Sequence, residues 1–161
     1  MSRLNAARRC LRMVSGLALV SGALVAAMAQ AEPLESYRYD CQASLPIRDG
    51  YSYKYRLSAE ASYDTERLVL ADVAGATLSL ELIGPQGRVE ATYLKAQPLS
   101  LVSRGERSIV VDYVDAVYSL NARLSLIEGA ENAVAKIYHK YAEDVRVGTT
   151  EQVRCTATRL P

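Results

Sequence analysis

The chain has 161 residues, 50% of them apolar and 23% charged, with a formal net charge of +1. That is the length of one domain and the composition of a folded one, which excludes a wholly disordered chain. A single His, three Cys and no Trp or Phe exclude metal sites built from several His or Cys. They also exclude any Ser–His–Asp site that does not use His139.

Arg3, Arg8, Arg9 and Arg12 precede an uncharged run from Met13 to Ala31. Leu17-Ala18-Leu19-Val20 and Ala23-Leu24-Val25-Ala26-Ala27 make the run apolar, and both Ala27-Met28-Ala29 and Ala29-Gln30-Ala31 fit an Ala-x-Ala cleavage site. A basic head, an apolar middle and a small-residue exit are the parts of a secretory signal peptide. Residues 1–31 are therefore expected to be cleaved, and 32–161 to form a single β-domain. A retained membrane anchor is the competing reading, and the Ala-, Gly- and Ser-rich run with its cleavable end disfavours it. No membrane insertion of the mature chain is expected.

Cleavage removes four Arg and no acid, leaving 15 basic against 18 acidic side chains and a net charge of −3. The slight basicity of the whole chain thus belongs to the export head. No Lys/Arg cluster interleaved with stacking aromatics remains to bind nucleic acid.

Cys10 leaves with the leader. Cys41 and Cys155 remain, and an even Cys count in an exported chain is read as a disulfide in an oxidising compartment, periplasmic or extracellular. Without a Cys-x-x-Cys there is no support for redox catalysis.

The mature chain has a period of two, the mark of half-buried strands. Residues 37–45 place Tyr37, Tyr39, Cys41, Ala43 and Leu45 on one face. Asp49-Gly50 then marks a turn. Residues 51–60 place Tyr51, Tyr53, Tyr55, Leu57 and Ala59 opposite Ser52, Lys54, Arg56, Ser58 and Glu60. Val73-Ala74-Gly75 reads as punctuation before a strand carrying Ala76, Leu78, Leu80 and Leu82. Gly84-Pro85-Gln86-Gly87 is a turn, because Pro fixes φ and Gly permits positive φ. Val89, Ala91 and Tyr93 open the next strand.

Residues 110–126 keep one parity through Val110, Val114, Ala116, Tyr118, Leu120, Ala122, Leu124 and Leu126, a length that predicts a bend or bulge. Residues 131–143 fit both helical and strand spacing, and strand neighbours favour a strand. Residues 151–158 align Val153, Cys155 and Ala157. The sum is an all-β chain of about 8–10 strands. The expected architecture is a small antiparallel β-barrel, with a β-sandwich as the alternative. A Cys41–Cys155 bond requires the first and last strands to be neighbours, which barrel closure satisfies most simply.

No nucleophile elbow, P-loop, dinucleotide fingerprint or zincin helix occurs. No cofactor, metal site or catalytic residue is expected. No Asn-x-Ser/Thr occurs, so no N-glycosylation acceptor suggests a eukaryotic secretory route, and a bacterial envelope or periplasmic location is expected. His139 reads as an ordinary strand residue beside the solvated Lys140. Asp112 shares the parity of Val110 and Val114, so it is either an acid at a barrel mouth or is turned outward by a bulge. The Tyr stripe of Tyr37, Tyr39, Tyr51, Tyr53 and Tyr55 replaces the missing Phe as core aromatics, and with Asp112 it is the best candidate ligand surface.

The expected function is an exported, non-catalytic binding module of the envelope, of small-ligand or protein-inhibitor type, with an unidentified envelope ligand or protein as partner. A structural or assembly component is the alternative, and an enzyme is less favoured. Intact-mass analysis of exported material should find the chain starting after Ala29 or Ala31. Exported protein beginning at Met1 would defeat the signal-peptide reading.

Overall fold

A computed structural model describes residues 34–141 and 147–161, so the expected signal peptide over residues 1–31 lies outside the described residues. Ten strands are present among them: β1 (Leu34–Pro46), β2 (Ser52–Asp64), β3 (Val69–Ile83), β4 (Val89–Pro98), β5 (Ser100–Arg104), β6 (Ser108–Val114), β7 (Tyr118–Leu126), β8 (Ala133–Tyr141), β9 (Val147–Thr149) and β10 (Val153–Arg159). They form one strongly curled antiparallel sheet, a half-barrel, in the order β4-β3-β2-β1-β10-β8-β7-β6-β5, with β9 paired to β8.

Alternation builds this sheet directly. On β1 and β2 every second residue is buried, from Tyr37 to Ala43 and from Tyr53 to Tyr63, and their partners face solvent. The inner faces of β3, β6, β7 and β8 add Leu78, Leu80, Ile109, Val111, Leu120, Leu124 and Ile137 to the same core. The Asp49-Gly50 turn has positive φ at both residues (54° and 77°), closed by Tyr51 N–H donating to Arg48 O at 2.9 Å. Two central residues with positive φ are what a twisted two-residue hairpin needs. The 131–143 stretch contains strand β8, because Ala133, Ala135, Ile137 and His139 all turn inward. Residues 142 and 143 lie outside the described residues.

Three expectations need correction. The 110–126 stretch is not one bent strand but the hairpin β6–β7. Asp115 splits it: its Oδ1 accepts Val117 N–H at 2.7 Å and Tyr118 N–H at 2.6 Å, an Asx turn that needs neither Gly nor Pro. The inward set of β6 is Ile109 and Val111, leaving Val110 and Asp112 half-buried on the outer side and Val114 exposed. Val73 to Gly75 lie within β3, where the register against β2 shifts between Glu60 and Ala61 and again between Ser62 and Tyr63. Bulges absorb the interruption that resembled a turn.

The first and last strands do pair, at the register point Cys41↔Cys155, and the disulfide joins them there with a Cα–Cα distance of 4.2 Å. They are not the ends of the sheet. Those ends are β4 and β5, separated only by Leu99. Beyond β4 the chain folds back along β3: Leu99 N–H donates to Ala76 O at 2.9 Å and Leu70 N–H to Glu106 O at 2.7 Å. The Arg104 guanidinium bonds Ala71 O and lies 3.9 Å from the Asp72 carboxylate.

Near β8 the returning chain bears a second irregularity. Buried Thr150 sits between β9 and β10, its Oγ1 accepting Ile137 N–H at 2.9 Å. A Cβ at Gly148 would collide with Leu45, so β9 passes close under the end of β1.

The disulfide ties residues 114 positions apart. Closing a loop of that order is worth about 4–5 kcal/mol in the chain-entropy model. Replacing Cys41 or Cys155 by Ala is expected to cost about 2–5 kcal/mol, the double replacement no more than a single one. Denaturant melts measure this. Two titratable thiols in denatured, unreduced mature protein would refute the bridge.

Candidate binding site

The tyrosines divide between the two ends of the half-barrel, with the disulfide between them. Across β1 and β2 the register runs Tyr39↔Ala59, Cys41↔Leu57, Ala43↔Tyr55, Leu45↔Tyr53. Tyr37 and Tyr39 therefore fall at one end, and Tyr53 and Tyr55 at the other.

At the first end the Tyr37 and Tyr39 rings stack at 6.1 Å. The Tyr37 hydroxyl donates to Glu35 Oε2 at 2.6 Å, and Arg159 holds the other oxygen at 2.8 Å. The bond to Glu35, then burial, pushes the Tyr37 phenol up to about 12. Burial first raises that of Tyr39 as well. The Tyr39 hydroxyl is buried and has no hydrogen-bond partner among the described residues. Both rings are core, the blander of the two readings made from the alternation.

The second end holds the more elaborate cluster. Tyr53 and Tyr55 from β2, Tyr93 from β4, Tyr118 from β7 and His139 from β8 converge there. The His139 ring lies 5.1 Å from Tyr53, 5.9 Å from Tyr55 and 5.7 Å from Tyr118, with interplanar angles of 56° to 89°. Tyr93 spans from Tyr53 at 6.2 Å to Tyr118 at 5.6 Å. Tilted and edge-on contacts at these separations are the favoured aromatic geometries. The Tyr55 hydroxyl and His139 Nδ1 are 2.6 Å apart in a buried hydrogen bond, and the imidazole tautomer decides which donates.

Tyr93 is in this cluster because of a bulge. Leu94 pairs with Leu80 and Thr92 with Glu81, so Tyr93 is the extra residue between them. A bulge re-aims its side chain. Leu94 takes the core position, and Tyr93 turns to the mouth, 40% exposed. Turns complete the rim. The Asp49-Gly50 turn touches the Gly84–Gly87 turn, where a Cβ on Gly50 would sit 3.2 Å from the Pro85 Cβ.

Of the other sites read from the sequence, Tyr51 lies in the first turn rather than on the β2 face and is 36% exposed. Asp112 sits on the outer face of β6, opposite Ser100 and Asn121, away from the aromatic cluster. It faces outward because of the parity of β6, not because of a bulge.

His139 is a strand residue of β8 beside the exposed Lys140, as its spacing indicated, and it is itself only 2% exposed. Its parity with Ala133, Ala135 and Ile137 was the available signal. Burial pulls its pKa down to about 4, so the ring is neutral across the physiological range. Burial likewise raises the Tyr53 and Tyr55 phenols, and it pushes Tyr118 up to about 12 with help from Tyr93 and Tyr53. Among the described residues no group of three His, Cys, Asp or Glu side chains is placed to hold a metal ion.

Comparison of the chain with protein-family models, curated proteins and solved structures yields no match. The chemistry open to the mouth therefore follows from its own side chains: stacking on tyrosine faces and hydrogen bonding through phenols that stay protonated.

His139 makes stability pH-dependent in a known direction. Its unfolded pKa is near the ordinary 6.5 and its folded pKa about 4. Stability is thus full above about pH 6.5 and falls as acid protonates the unfolded chain first, levelling off below about pH 4. The full loss is about 3 kcal/mol. Urea midpoints should drop between pH 7 and 4.5 and flatten in His139→Phe. An equal slope in that variant would place the titrating group elsewhere.

Proposed function

We propose that the protein is an exported, non-catalytic binding module whose ligand docks on the aromatic mouth. The observation that carries this reading is Tyr93. A bulge removes it from the core and sets it, 40% exposed, against a fixed frame of Tyr53 and Tyr118. A pre-organised aromatic face beside phenolic hydroxyls suits a ring-shaped ligand, a sugar or an aromatic compound.

The buried, neutral His139 supports binding over catalysis. A general base must reach a substrate proton, and this imidazole is sealed under tyrosines with Nδ1 committed to Tyr55. The disulfide indicates an oxidising, non-cytoplasmic compartment. Together with the leader-like N-terminus it supports the periplasm or exterior of a bacterial cell as the working location.

Mature protein isolated natively from envelope extract should carry a ring-bearing small molecule, seen as a mass adduct in native mass spectrometry. Tyr93→Ala, folded by circular dichroism, should lose it. Equal retention of the adduct by Tyr93→Ala would remove the mouth as the binding site.

A further inference from the structure

Away from the mouth, the outer faces of the two halves of the sheet treat charge differently. In the N-terminal half, opposed charges across strands are complementary. Arg38 registers with Glu60 and bonds it at 2.6 Å. Lys54 registers with Glu81, which also takes Arg56 at 3.4 Å. This is the expected arrangement, because unlike charges directly opposite stabilise a sheet and like charges weaken it.

The C-terminal half breaks the rule at one point. Arg123 of β7 and Lys136 of β8 are direct register partners, the one like-charged register pair among the described residues. On its other side Arg123 faces Val110, not an acid. Arg154 of β10 registers with Val134, so a third cation lies beside the pair. The nearby carboxylates are Asp112, opposite Asn121, and Glu151, next to Gln152. Neither makes an ion pair with Arg123 or Lys136, and no other described carboxylate does. This cationic face stands on a mature chain whose net charge is −3.

The same two cations line a shallow open depression on the sheet, with Ser125, Tyr138 and Gln152 around it. Lys136 Nζ lies 5.9 Å from the centre of the Tyr138 ring, which is 40% exposed. The depression therefore presents a guanidinium and an ammonium side by side, a hydroxyl and an amide as further donors, and an aromatic wall. Two adjacent cations without a counter-charge are unfavourable in the free protein, and a bound anion between them removes the repulsion.

We propose that this depression is an oxyanion site. Arg123 and Lys136 together hold a carboxylate, sulfate or phosphate group, Ser125 and Gln152 donate to its remaining oxygens, and the rest of the ligand lies against Tyr138. Guanidinium matches the geometry of such groups and ammonium supplies a compact point charge. The site is independent of the aromatic mouth.

The test uses the mature, disulfide-bonded protein. Inorganic phosphate and sulfate are titrated at constant ionic strength against chloride, following backbone amide shifts and the thermal midpoint. Saturable shifts centred on Ser125, Lys136 and Gln152 are expected. Arg123→Gln and Lys136→Gln should each weaken the apparent affinity by tenfold or more, and in chloride they should melt no lower than the parent. Lys54→Gln, which removes a cation from the complementary half, should bind as the parent does, and so should Tyr93→Ala. The source of the anion is separated by two further probes. Retention on vesicles containing phosphatidylglycerol, lost in Lys136→Gln, assigns a lipid headgroup. Saturation by glucuronate without vesicle retention assigns a soluble acidic saccharide. Equal phosphate and sulfate responses in the parent and both Gln variants would overturn the site, since only general salt effects on stability would then remain.

Discussion

The pairing of β1 with β10, fixed by the Cys41–Cys155 bond, is the constraint on which the rest depends. β10 is held to β8 through two register pairs, Val153↔Ala135 and Arg154↔Val134, but to β1 through five, with the disulfide among them. β1 in turn carries a ladder along its whole length to β2. The last strand is thus a splice between the meander β1–β4 and the antiparallel set β6–β8. Besides it, the backbone bonds along β3 and the short β4–β5 connection link the two halves. The covalent bond ties residues 114 positions apart, a separation at which loop closure is costly.

With the halves spliced, the interior must be filled without Phe or Trp. Tyrosine does it, and each hydroxyl then needs a partner or an exit to water. Tyr37 uses Glu35 and Tyr55 uses His139, while the Tyr39 hydroxyl has no partner among the described residues. The Tyr55–His139 bond crosses from one half to the other. So do the contacts of Tyr53 with His139 and of Tyr93 with Tyr118. The aromatic cluster is therefore both a cross-brace of the fold and the rim of its mouth. Burial keeps its imidazole neutral and its phenols protonated, which suits hydrogen bonding rather than proton transfer.

Outside, the same splice sets charge into two territories. Cross-strand pairs on β1–β3 neutralise one another, whereas on β7, β8 and β10 Arg123, Lys136 and Arg154 have no acidic register partner among the described residues. Polar residues at alternate positions suffice to keep a strand soluble. Which charge meets which depends on register, and register is a property of the assembled sheet.

Alternation alone determined that the chain is β-structured. It also marked β1, β2 and the inward residues of β7, because burial on one face of a pleated strand leaves a period of two in the sequence. Cysteine parity indicated that the first and last strands meet. Where burial is absent or irregular, that signal vanishes. β5 has no buried residue and leaves no alternation to read. The β6–β7 turn rests on the Asp115 side chain rather than on Gly or Pro. The bulge at Tyr93 gives the buried position to Leu94, which strict alternation from Ala91 would have turned outward. The placement of β4 and β5 at the ends of the sheet, the meeting of His139 with Tyr55, and the opposition of Arg123 to Lys136 were decided by tertiary structure alone. Each joins residues on different strands, and strand order and register are set by how the whole sheet curls, not by any local run of side chains.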